Sequence, residues 1–70
     1  MDKETLGTAL PAEIKRVREQ LIPIYQSIGP PGQFACMVMQ CALTVAEKMM
    51  AEGDVVGMIR IYQELKDFKL

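Results

Sequence analysis

The stretch from Gln33 to Glu52 is almost uninterrupted apolar sequence, and before the closing Glu52 its few polar residues, Gln33, Gln40, Thr44, Glu47 and Lys48, recur at helical spacing. Wound at 3.6 residues per turn, they cluster on one narrow stripe, so a helix here has to bury most of its circumference. One neighbouring helix cannot cover that much surface. No strand-like alternation competes anywhere in the chain, which reads as all-α: a small helical hairpin or three-helix unit, assembled as a homodimeric bundle.

The rest of the chain supplies the other helices. Leu10, Ile14, Val17, Leu21, Ile24 and Ile28 repeat at intervals of four and three, an apolar seam with Lys15, Arg16, Arg18 and Glu19 largely off it. Pro11 suits the first helical position, and Glu13 follows where a carboxylate meets the positive helix end. Pro23 removes a backbone donor inside the pattern and predicts a kink or break near residues 19 to 23. Ile28-Gly29-Pro30-Pro31-Gly32 forces a turn before the next helix. Gly53 then Asp54 ends that helix and caps another, whose inner face is Val55, Met58, Ile59, Tyr62 and Leu65, with Ile61 at the flank. Gly57 costs about 1 kcal/mol against Ala in a helix interior, which points to a close helix approach. The expected organisation is a flexible arm over 1–9 and one helical domain over 10–70, with helices at about 11–28, 33–52 and 55–68.

At 70 residues a chain buries only about 60% of its unfolded surface, and neither disulfide nor metal stapling is in view. Cys36 and Cys41 are five residues apart on one helix, too far around the axis to bond each other, and read as reduced thiols packed as small hydrophobes. Pairing with a second copy is the commonest remedy for such a chain. Phe34, Met37, Val38, Cys41, Val45 and Met49 are the candidates for that seam or for a partner contact. Met37, Met39, Met49, Met50 and Met58 suit a packed core or dimer seam, with an adaptable groove as the other reading.

Composition narrows the function. A net charge of -1 and a pI near 5.3 give no field to hold a polyanion, which disfavours nucleic acid as partner. The basic cluster Lys15, Arg16, Arg18, balanced by Glu13 and Glu19, reads as a solvated face; with Glu64 these are the surface contact candidates. A small dimeric DNA-binding regulator using that helix, or a structural subunit, are the alternatives. The charge-free run from Leu21 to Ala46 is broken by Pro23, Pro30 and Pro31, which argues against a membrane span, and the N-terminus lacks the basic start and apolar run of a secretory signal. A cytoplasmic protein is expected. The chain has no His, no nucleophile elbow and no phosphate-binding loop, so neither catalysis nor a cofactor nor a metal is expected.

The stretch Ala51–Leu65 is similar to the turn and second helix of a tetratricopeptide repeat, but an array needs several 34-residue units and the chain has no room for them. Thr8–Glu19, Ile28–Phe34 and Ala51–Arg60 together resemble a group of small early-expressed host-takeover proteins of Mu-like Pseudomonas phages and prophages, which includes an anti-activator of quorum sensing. The resemblance implies a small helical dimer that binds and inhibits host proteins, a LuxR-type transcription activator and a type IV pilus assembly ATPase among them.

Overall fold

Residues 5–69 are described by a computed structural model, and they form three helical rods. The first rod is a composite: helix α1 (Leu6–Arg16), a π-helical turn (Val17–Leu21) and helix α2 (Ile22–Ile28). Helices α3 (Pro30–Glu52) and α4 (Val55–Asp67) follow. The chain is all-α, as its patterning predicts.

α1 begins at Leu6, five residues before the expected start at Pro11. Thr5 precedes it, and the Thr5 amide donates to the Thr8 Oγ1 at 3.2 Å. The extra turn is held by packing, because Ala9 and Leu10 are buried and Leu6 lies against the core. Pro11 therefore sits inside the helix, and the carbonyl left without its donor belongs to Gly7, an exposed residue that water can serve. Of the arm expected over 1–9, residues 6–9 are thus helical and residues 1–4 lie outside the described part.

The break expected near residues 19 to 23 takes the form of the π turn, in which the Ile22 amide donates to the Val17 carbonyl five residues back. One extra residue in that turn rotates everything after it. Leu10, Ile14, Val17 and Leu21 are buried as the seam requires, but the next inward positions are Ile22 and Tyr25. Ile24 and Ile28, which an unbroken seam would bury, are exposed.

Gly29 turns the chain at φ 94° and ψ −149°, a conformation open essentially to glycine alone. α3 then starts at Pro30, three residues earlier than expected, because both prolines fit a first turn whose amides have no helical partner. Gly32 lets α2 and α3 touch: a Cβ there would stand 1.8 Å from the Tyr25 carbonyl oxygen. At the other end Gly53 adopts the left-handed conformation at φ 70°, and the Asp54 amide donates back to the Met49 carbonyl at 3.0 Å. The Asp54 Oδ1 accepts from the Gly57 amide at 3.0 Å, capping α4.

α3 and α4 form a hairpin, and the first rod lies across one face of it, α1 against α4 and α2 against α3. The Cα trace measures 39 × 28 × 15 Å, and the thin dimension is that of two packed helix layers. The core between the layers centres on Leu10, Val17, Met39 and Leu65, which have almost no exposure. On α4 Ile61 and Leu65 are buried and Met58 and Tyr62 pack partly buried against the core, whereas Val55 and Ile59, expected inside, are exposed. The two-residue junction sets this rotation: it turns Gly57 toward α3, where a Cβ would meet the Met49 Sδ at 2.3 Å, and so points residues 55 and 59 away.

Candidate functional site: an uncovered apolar face on the hairpin

The inner side of α3, carrying Cys36, Met39, Leu43 and Ala46, meets the first rod. Phe34, Met37, Val38, Cys41 and Val45 lie close to half a turn around the helix from it. They form a second apolar stripe that none of the described residues covers: Phe34 is 74% exposed, Met37 63% and Val45 44%. Five of the six seam candidates are thereby brought together on one surface. The sixth, Met49, is only half exposed and turns aside into the hairpin against Gly57.

Two clefts open along this face. One, of about 390 Å³, runs between α3 and α4 past Met37, Val38, Cys41, Val45 and Ile61, with Glu64 at its rim. The other, of about 220 Å³, lies toward the C-terminal segment among Tyr25, Ala35, Met39 and Phe68. Phe34 and Val38 line both, so the two are compartments of one apolar trough.

The far wall of the smaller cleft is fixed by a latch. Arg16 Nη2 donates to the Leu65 and Phe68 carbonyls at 2.9 and 3.1 Å, while its Nε and Nη2 both donate to Glu13 Oε1, at 3.1 and 2.9 Å. Tyr25 adds a hydrogen bond from its hydroxyl to the Lys69 carbonyl at 2.6 Å. A guanidinium at the last carbonyls of a helix sits at the negative end of its dipole.

This latch breaks up the basic cluster read from the sequence. Arg16 is half buried and turned inward, Val17 is core, and Arg18 pairs with Glu47 across the layers at 2.6 Å. Of the three cations only Lys15 points to solvent without such a partner among the described residues. The cysteines also differ from their expected common role: Cys36 is buried, its thiol donating to the Ile22 carbonyl at 3.6 Å, but Cys41 is exposed within the stripe.

By length and composition α3 is long and apolar enough to cross a membrane, with mean hydropathy 1.3 over its most apolar window. Pro30 and Pro31 do not interrupt it, since they form its first turn. The described residues define a small helical protein with an uncovered apolar surface on its hairpin. No protein-family model, curated protein or solved structure matches the chain.

Proposed function

We propose that this chain is a noncatalytic phage-type protein-binding inhibitor, a cytoplasmic homodimeric bundle that occludes a host regulatory protein such as a LuxR-type quorum-sensing activator or a pilus assembly ATPase. The observation that carries the reading is the exposed stripe Phe34, Met37, Val38, Cys41 and Val45, because contiguous apolar surface left on a small protein marks a contact with another protein. The named targets come from the resemblance in the sequence to phage host-takeover proteins. A DNA-binding role draws less support, since Arg16 is turned inward to the Leu65 carbonyl and the exposed Arg18 is paired with Glu47, which splits the cationic cluster that would meet phosphates.

The test is to titrate the purified protein into a LuxR-type activator bound to its operator and follow release of the DNA. Stoichiometric release that is lost on charge reversal at Glu64 or Arg18, with helicity and self-association unchanged, supports the reading. An activator that stays on its operator at tenfold excess sinks that target. The pilus ATPase is tested in the same way through its ATP hydrolysis. Direct operator binding by this chain, falling steeply with salt, would instead favour the DNA-binding alternative.

A further inference from the structure

We infer that Phe68 and Lys69 form a lid on the smaller cleft, which lifts from Tyr25, Ala35 and Met39 while the three rods stay folded and adds those side chains to the uncovered face. A lid of this kind gives the face two forms, whichever partner meets it.

Both residues lie beyond the helix. α4 ends at Asp67, and Phe68 is extended at φ −71° and ψ 119°. Its amide donates to the Leu65 carbonyl at 3.1 Å, and among the described residues no backbone–backbone hydrogen bond joins the segment to the first rod. Two side chains hold it across the cleft, Arg16 at the Phe68 carbonyl and Tyr25 at the Lys69 carbonyl. These contacts can break without opening a helical hydrogen bond, which is the condition for a local opening.

The seat beneath the lid is incomplete. Phe68 is half-buried against the core, yet the cleft that it lines keeps a void of about 220 Å³. A side chain beside a void has no atoms to attract on that side, so Phe68 forfeits less on lifting than a fully packed residue would. Met39 lines the same cleft and is only 2% exposed. The void also exceeds the roughly 150 Å³ at which an apolar protein cavity takes up benzene, so the lid gates a space the size of an aromatic ring.

Arg16 joins the lid to the helix end. Its Nη2 donates both to the Leu65 carbonyl, inside α4, and to the Phe68 carbonyl beyond it. Glu13 Oε1 holds the guanidinium from its own helix. One nitrogen therefore spans the hinge.

Thiol labelling of the intact chain tests this. With Cys36→Ala and Cys41→Ala, Met39→Cys places the sole thiol under the lid. Its reaction with a maleimide is expected to be insensitive to urea below the unfolding transition, because lifting two residues exposes little surface. Where reclosing outpaces labelling, the rate follows the population of the open form. Tyr25→Phe is expected to raise that rate about threefold and Arg16→Gln about tenfold or more, for a lost neutral and a lost charge-assisted hydrogen bond, with helicity unchanged. Phe68→Ala should raise it as well. Labelling whose urea slope matches the loss of helicity would mean that only unfolding reaches position 39, and would overturn the lid. So would a urea-insensitive rate that neither Tyr25→Phe nor Phe68→Ala changes. Cys36, buried with its thiol on the Ile22 carbonyl, is the sole thiol in Cys41→Ala. Urea-insensitive labelling there at the same rate would assign the opening to α2 parting from α3, and would overturn the lid too.

Discussion

Gly32 and Gly57 are both helical glycines pressed against a neighbour, and what each one presses against decides what a methyl group would do. At Gly32 the obstacle is the Tyr25 backbone carbonyl, which moves only if α2 moves. Gly32→Ala is expected to destabilise the fold by at least about 2 kcal/mol, read as a lowered urea midpoint at unchanged slope. At Gly57 the obstacles are the Met49 sulfur and the Asp54 carboxylate, both ends of side chains. Alanine there gains about 1 kcal/mol of helix propensity against the cost of moving them, so Gly57→Ala is expected to stay within about 1 kcal/mol of the parent. The close approach at Gly57 was legible because a glycine inside a helical pattern needs a reason. Gly32 was not legible in that role. It reads as punctuation beside two prolines, and the carbonyl it accommodates arrives only when α2 and α3 come together.

At the scale of elements the apolar periodicity carried the three rods but not their phase. Pro23 announced a disruption; nothing local to it said whether the chain would bend or take in an extra residue. The π turn chose the second, and so Ile22 and Tyr25 replaced Ile24 and Ile28 on the inner face. Likewise Pro11 and Pro30 look like boundaries in the sequence, but burial of Ala9 and Leu10 and the tolerance of a first turn for proline move both starts earlier. The end of α4 depends on contacts no pattern announces, those from Arg16 and Tyr25. Arg16→Gln is expected to cost about 1.5–3 kcal/mol through loss of charge-assisted hydrogen bonds. The loss should be uneven: amide exchange at residues 66–69 accelerates more than in the middle of α3. Tyr25→Phe should act in the same direction and more weakly, by about 0.5–1.5 kcal/mol. Equal acceleration throughout the chain would mean that neither side chain holds the segment locally.

For the whole molecule, the sequence made an excess of apolar surface over residues 33–52 plain, and five of six contact candidates do share a face of α3 that the described residues leave uncovered. The two-layer arrangement was beyond its reach, because which side of a nearly all-apolar helix turns inward is set by the first rod. If that face associates, the melting temperature rises with protein concentration. Val38→Glu, at a position already partly exposed, is expected to abolish the rise while changing the dilute melting temperature by little. A melting temperature independent of concentration in the parent would argue against association. The latch, finally, joins residues 49 and 52 positions apart, and what it grips is main chain. Arg16 and Tyr25 bind carbonyl oxygens, which every amino acid supplies alike. The path of the last residues over the first rod is therefore indifferent to the side chains at 66, 67 and 69, which remain free to take whatever identity a contact made there demands.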